Sequence, residues 1–247
     1  MPPSTGARLV YAVGDVHGRL DVLKPLLHDI AQDALATRPD HRPVLVFLGD
    51  YVDRGPDSRQ VVDLVLKLQL DGAFDVVALK GNHEEALLQF LAEPAFAMTW
   101  MEHGGAATLA SYGVQPCAMR TDADAWGAVR DAFDQALPDD HRRFYGELQL
   151  FHVVGDYAFV HAGVRPGVAL KAQTTHDLLW IRYEFLNDRG PHDKVIVHGH
   201  TPAEQPQMLG HRLGLDTGAY ATGVLTAVRL YGVEQRLMQA RVRLRAA

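Results

Sequence analysis

The chain has a single cysteine, Cys117, among its 247 residues. One thiol excludes an intrachain disulfide and removes the sites that hold zinc through sulfur, so any bound metal must take oxygen and nitrogen ligands. Long apolar runs are also missing. No segment approaches the roughly 18 apolar residues of a membrane span, and the opening MPPSTGARLV lacks the apolar stretch of a secretory signal. Together these absences predict a cytoplasmic protein with no membrane partner. An excess of positive charge is absent as well. The formal net charge of −6 gives no general attraction for nucleic acid or an anionic bilayer, so no nucleic-acid partner is expected. What is present, 47% hydrophobic and 22% charged residues, suits a chain that buries a large core. The length predicts one domain over residues 1–247.

Three times in the first 85 residues an apolar run leads into a Gly/Asp-rich turn and then a helical pattern. Arg8–Val13 precedes GDVHG at 14–18, Pro43–Leu48 precedes GDYVDRGPDS at 49–58, and Phe74–Leu79 precedes GNHEE at 81–85. Helices are expected from about Arg19, through about Leu70 and through about Leu91, the second presenting Val61, Val62, Val65, Leu66 and Leu68 on one face. Short apolar strands alternating with helices imply βαβ units in a largely parallel sheet, with chemistry at the carboxyl ends of the strands. Residues 94–147, punctuated by Pro94, Gly104, Gly105, Gly113 and Pro116, read as a mainly helical insertion or lid, with one helix over Ala123–Leu137. After it come a hairpin over Gln149–Val154 and Tyr157–Val160, then HAG at 161–163, a strand over Lys194–Val197, and HGHT at 198–201. Leu213–Asp216, Gly223–Tyr231 and Glu234–Arg245 read as closing antiparallel strands. The fold class is therefore α/β, a two-sheet core flanked by helices. Arg241, Arg243 and Arg245 alternate along the last strand as the solvated face of a protected edge.

The turns supply Asp15, His17, Asp50, Asn82, His161 and His200, hard or borderline O/N donors that each follow an apolar strand. Singly, each would be a cap or a turn residue; jointly they have the composition of a metal site. The Asp-x-His spacing lets Asp15 and His17 chelate one ion. A central carboxylate such as Asp50 can give one oxygen to each of two ions. Two divalent ions roughly 3.5–4 Å apart can activate a water and clamp a phosphoryl group during in-line attack.

GDVHG, GDYVDRG, GNHE, HAG and GHT, in that order over residues 14–201, resemble the signatures of the PPP-type serine/threonine protein phosphatases within the calcineurin-like metallophosphoesterases. HAG and WMEHGGAATLASYG at 100–113 make the chain more similar to the compact bacterial and phage members. The resemblance implies that Asp15 and His17 bind a first metal, that Asp50 bridges, and that Asn82, His161 and His200 complete the second site. His200 rather than His198 is chosen because the family ligand immediately precedes Thr. His83 would be the general acid, oriented by Asp53, and Arg54 would hold phosphate oxygens. Arg182 in DLLWIR is the expected second arginine, with Arg165 and Arg189 as alternatives. Two divalent ions, with Mn²⁺ expected and Fe or Zn as alternatives, would be the cofactors.

The first functional expectation is hydrolysis of phosphoserine or phosphothreonine, with phosphotyrosine as a further substrate, so the expected partner is a phosphoprotein or phosphopeptide. The enzymatic rival is a symmetrical bis(5'-nucleosyl)-tetraphosphate hydrolase. The retained His17 and Asp53 set the chain apart from that branch. A non-catalytic phosphoprotein-binding module is the reading from another class. The remaining histidines, His103 among them, and Trp100, Trp126 and Trp180 read as surface, structural or packing residues.

Overall fold

The computed structural model describes residues 1–117 and 123–242. In chain order the elements are β1 (Leu9–Val13), α1 (Leu20–Thr37), β2 (Val44–Phe47), α2 (Ser58–Asp71), β3 (Asp75–Ala78) and α3 (Asn82–Ala92). The insertion follows as α4 (Ala97–Glu102), α5 (Gly105–Ser111), α6 (Ala123–Ala136) and α7 (Asp139–Glu147). The second half contains β4 (Phe151–Val154), β5 (Tyr157–Val160), α8 (Thr175–Trp180), α9 (Tyr183–Leu186), β6 (Val195–His198), β7 (Gln207–Met208) and β8 (Arg212–Gly214). It closes with α10 (Ala219–Thr222), β9 (Val224–Tyr231) and β10 (Glu234–Arg241).

Two five-stranded sheets form, in the orders β10-β9-β1-β2-β3 and β4-β5-β6-β8-β7. β1, β2 and β3 are parallel, as the strand–turn–helix rhythm requires, whereas β9 and β10 add antiparallel. Alternation along the strands builds three apolar layers. Val10, Ala12, Val44 and Val46 meet Tyr157, Phe159, Val197 and Leu213 between the sheets. Leu9, Tyr11, Val13, Leu45 and Phe47 face the opposite way, onto α1, α2, α3 and the insertion. On the outer side of the second sheet, Val160 and Ile196 pack under Leu178 and Phe185. β1 and β2 are buried along their whole length because both of their faces are covered.

Two expectations for the closing strands change. The segment expected as an antiparallel strand from Leu213 is β8, which runs parallel to β6 with Ile196 opposite Arg212, and is antiparallel only to β7. The stretch 199–211 is long enough to carry the chain back across the sheet edge, which a parallel neighbour needs. β10 ends at Arg241, and Arg243 and Arg245 lie outside the described residues. The insertion is a packed body and not a flap: Trp100, Leu109, Phe133, Phe144 and Tyr145 are buried in the same core as α2 and α3. Among the described residues no helix is long and apolar enough to cross a membrane.

Candidate metal centre

Asp15 and His17 follow β1, Asp50 follows β2, Asn82 opens α3 just after β3, His161 follows β5, and His200 follows β6. All six are buried at the same end of the two sheets. The backbone is bent hard to bring them there. His17, Asp50, Asp53, Arg54 and His200 have φ between 46° and 70°, a region L-residues seldom occupy; of the non-glycine positions recorded with positive φ, only Arg38 lies outside the site. Two glycines permit the closest approaches. A Cβ on Gly199 would stand 1.9 Å from Asp15 Oδ1, and one on Gly81 2.1 Å from Asp50 Oδ1.

The histidine tautomers are set from behind. His17 Nδ1 lies 2.8 Å from the Val52 carbonyl and His161 Nδ1 2.8 Å from the Leu48 carbonyl. A carbonyl only accepts, so each ring donates through Nδ1 and turns the lone pair of Nε2 inward. Burial keeps both rings neutral, pushing His17 down to about 3 and lowering His161. Their Nε2 atoms then face the two oxygens of one carboxylate, His17 at 3.4 Å from Asp50 Oδ2 and His161 at 3.5 Å from Oδ1. Burial pushes Asp50 up, and positive charge on the rings around it outweighs burial and lowers the carboxyl; with His17, His161 and His200 themselves lowered, His83 is the ring disposed to carry that charge. Lone pairs aimed at a carboxylate's lone pairs repel unless cations lie between them.

Two sets of donors sit within 4.8 Å of one another, His17/Asp50/His83 and Asp50/His161/His200, and Asp50 belongs to both. His200 Nε2 and Asp15 Oδ1 are buried without any partner. Asn82 Oδ1 lies 2.9 Å from both His161 Nε2 and His200 Nδ1. Burial, then repulsion from Asp216 and Asp50, raises the Asp15 carboxyl, and burial with Asp50 lifts Asp216 to about 6. Orphaned acceptors and crowded buried carboxylates fit two divalent cations sharing Asp50. Asp15 is not within 4.8 Å of the first set; its Oδ2 instead accepts the His200 backbone N–H at 2.9 Å. His198 is buried with Nε2 directed at Arg212, 3.3 Å away, so of the two histidines in HGHT it is His200 that faces the donors.

His83 is held differently from the other rings. Its Nδ1 is 2.7 Å from Asp53 Oδ2, its Nε2 points at Arg54 Nη2 (3.3 Å), and Asp50 Oδ2 lies 3.9 Å off. Burial works against its charge, but Asp50 and then Asp53 outweigh burial and raise its pKa. The Asp53 carboxylate is anchored by the insertion: Trp100 Nε1 donates to Oδ2 at 2.9 Å and Thr108 Oγ1 to Oδ1 at 2.6 Å. Thr108 also accepts the Asp53 backbone N–H at 2.9 Å. Beneath the site, Glu84 accepts the N–H groups of Asp50, Gly81, Tyr51 and Val52 at 2.8–3.3 Å, stapling the central turn to α3. Burial and then Asp50 push Glu84 up to about 7, while those four donors favour its anion.

Arg54 lies over the Tyr220 ring, 4.3 Å from its centroid, and Arg19 Nη1 holds the Tyr220 turn through the Ala219 carbonyl at 2.7 Å. Arg182 is exposed, and its charge helps lower His161 and His200. Arg165 is committed to Asp177 through contacts of 2.6 and 3.1 Å, and Arg189 is exposed on the loop before β6. Sequence reasoning missed Glu84, Trp100, Thr108, Asp216 and Tyr220. Glu84 stands inside GNHEE, where its place beside Asn82 and His83 was a usable signal. The His103 ring, read as peripheral, is exposed 6.3 Å from the His83 ring.

A two-sheet sandwich with convergent O/N donors at its strand ends is the architecture of a metal-dependent phosphoesterase. The sequence pattern of the Calcineurin-like phosphoesterase family matches residues 9–224, and the chain belongs to that family, whose members use a dinuclear divalent metal site. Among its relatives are proteins named bis(5'-nucleosyl)-tetraphosphatase PrpE [asymmetrical], from Anoxybacillus flavithermus (27% identical) and Bacillus cereus (28%), each matched over 236 residues and 88% of both chains. Of solved structures, one provisionally described as a diadenosine tetraphosphatase shares the fold at TM-score 0.64 and 21% identity, over 97% of this chain and 96% of the other. A protein serine/threonine phosphatase from Saccharomyces cerevisiae shares it at 0.57 and 16%, over 98% and 82%. The expected fold and metallophosphoesterase class are thereby borne out. The relatives found by sequence at 27–28% identity are named for nucleotides, whereas the protein phosphatase, at 16% identity, shares the fold alone.

Proposed function

We propose that the chain hydrolyses bis(5'-nucleosyl) tetraphosphates away from the centre of the phosphate chain, releasing a nucleoside mono- and a triphosphate. The observation that carries this reading is the 27–28% identity with asymmetrical tetraphosphatases over 88% of both chains. It favours a dinucleotide over the expected phosphoprotein as substrate, and asymmetrical over symmetrical cleavage. Asp15, His17, Asp50, Asn82, His161 and His200 would hold two divalent ions, Mn²⁺ being suited to such a mixed O/N set. Those ions, when bound, supply an activated water and neutralise phosphoryl charge. Arg54, braced by Tyr220, and Arg182 hold the non-attacked phosphoryl oxygens. His83 would donate its Nε2 proton to the departing oxygen, the Asp53 carboxylate holding the ring in its protonated form until the proton is given up.

A second reading, the phosphoserine/phosphothreonine phosphatase, is favoured by the buried Asp53–His83 pair. A serine alkoxide is far more basic than a phosphate leaving group and has greater need of a supported proton donor. The same intact pair disfavours a non-catalytic binding module. The deciding experiment compares Mn²⁺-reconstituted protein on bis(5'-adenosyl) tetraphosphate and on phosphoserine, phosphothreonine and phosphotyrosine peptides. At least tenfold higher kcat/KM on the dinucleotide, with AMP and ATP as products, is expected. A tenfold preference for a peptide transfers the assignment to protein phosphatase, and two molecules of ADP would overturn the asymmetry.

A further inference from the structure

Around the corner from the metal centre, on the outer face of the second sheet, Arg212 is 95% buried without a carboxylate partner. It stands opposite Ile196, so its side chain leaves the sheet on the side of α9, away from the inter-sheet core where its neighbour Leu213 packs. Its exposure is 5%, and burial lowers its pKa with no acid offsetting the effect. Nη1 reaches Gln207 Oε1 and, at 3.3 Å, His198 Nε2; Nη2 reaches the Leu186 carbonyl at 3.3 Å. All three acceptors are neutral. Nε has no partner at all, and neither does the buried Thr201 Oγ1. Both residues line one cavity of about 230 Å³, walled also by Tyr183, Asn187 and Pro202.

Desolvating a guanidinium costs several kcal/mol, and native interiors offset that cost with a counter-charge or a full set of acceptors. Arg212 has neither. Asp216 also lines the cavity, but its Oδ1 accepts the Gly218 N–H and it forms no ion pair with Arg212 among the described residues. A compact oxyanion in this cavity would lie among the side chains of Arg212, Thr201 and Asn187, and a turn of the first two would bring their covered, unpartnered Nε and hydroxyl onto it. Thr201 directly follows His200, so the cavity opens beside the centre where phosphoryl groups are handled.

We propose that this cavity is a second phosphoryl-binding site, in which Arg212 and Thr201 hold a phosphate group outside the reacting position. The occupant is either a distal phosphate of the polyphosphate substrate, which rests on the reading given above, or free phosphate. Calorimetry on metal-stripped protein, titrated with inorganic phosphate and then pyrophosphate, tests the site without turnover. Wild type and Arg54→Gln should both bind; Arg212→Gln should bind at least tenfold more weakly, and Thr201→Val several-fold more weakly. Absence of binding by wild type, or binding unchanged in both Arg212→Gln and Thr201→Val, overturns the site. Binding lost in Arg54→Gln but kept in Arg212→Gln places the anion elsewhere and overturns it too. Thr201→Val carries the test if Arg212→Gln does not fold. The source follows from KM in the metal-loaded enzyme. A substrate phosphate requires Arg212→Gln to raise KM for bis(5'-adenosyl) tetraphosphate at least tenfold more than for 4-nitrophenyl phosphate. Equal changes for the two substrates assign the site to free phosphate. The calorimetric result stands whichever substrate the enzyme prefers.

Discussion

The two halves of the centre are built by different parts of the chain. The six donors grouped around Asp50 lie one to four residues beyond strand ends, and the backbone itself aims them: Nδ1 of His17 and His161 is tied to main-chain carbonyls, and Glu84 gathers four main-chain N–H groups under the central turn. The Asp53–His83 pair depends instead on side chains of the helical insertion, Trp100 from α4 and Thr108 from α5. Cation binding would thus rest on the sandwich, and proton donation by His83 would be tuned by a region that, among the described residues, contributes nothing to the two donor sets. Changes in the two regions should therefore separate metal content from leaving-group chemistry.

The largest effect is expected for Asp50→Asn. A neutral amide is a poor bridge between cations, so both metals should be weakened and turnover should fall to background. Metal analysis beside a rate assay checks this, and a variant with two bound metals and near-normal turnover would remove the bridging role. Next, His83→Asn should lower kcat on the order of 10²–10⁴-fold while metal content is unchanged. The loss should shrink on an aryl phosphate, whose leaving group needs no proton; equal losses on alkyl and aryl esters would count against the general acid.

Asp53→Asn sharpens the contrast through pH. A general acid works only while protonated, so activity falls as pH rises through the pKa of His83. Asp50 and Asp53 raise that pKa against burial, which extends activity toward higher pH. Replacing the Asp53 charge by an amide should move the basic limb of kcat/KM to lower pH. A limb that stays in place assigns it to another group. The smallest effect belongs to the insertion. Trp100→Phe removes one hydrogen bond to the Asp53 carboxylate, and Thr108→Val removes two, its donation to Oδ1 and its acceptance of the Asp53 N–H. A bond to a charged group is worth about 1.5–3 kcal/mol, and because His83 keeps its carboxylate only part of that should reach turnover, a roughly 2–10-fold loss of kcat on alkyl esters with normal metal content. Loss of metal in either variant would show that the two halves are not separable.

The legibility of the sequence follows the same division. Turn residues after apolar strands were readable because strand, turn and helix signals are local and repeat three times in 85 residues. His161 and His200 were found because HAG and GHT also follow strands. Thr108 and Trp100 were not. Their partner lies about 50 positions away, and a buried threonine or tryptophan in a helix has no local pattern separating an anchored role from packing. The parallel placement of β8 was lost for a related reason, since strand direction is decided by where the chain returns and not by the strand's own residues. Arg212 was unreadable because its isolation is a property of what does not surround it.

The left-handed backbone at His17, Asp50, Asp53, Arg54 and His200 bears on how such a protein can change over time. Each of these conformations costs about 1–3 kcal/mol relative to a relaxed one, and glycine would remove much of that cost. Arg54→Gly should accordingly melt at or above the wild-type temperature even as it loses its grip on phosphate, which a thermal denaturation curve would read. At Arg54, then, the substitution that would give up the grip on phosphate is the one the backbone favours.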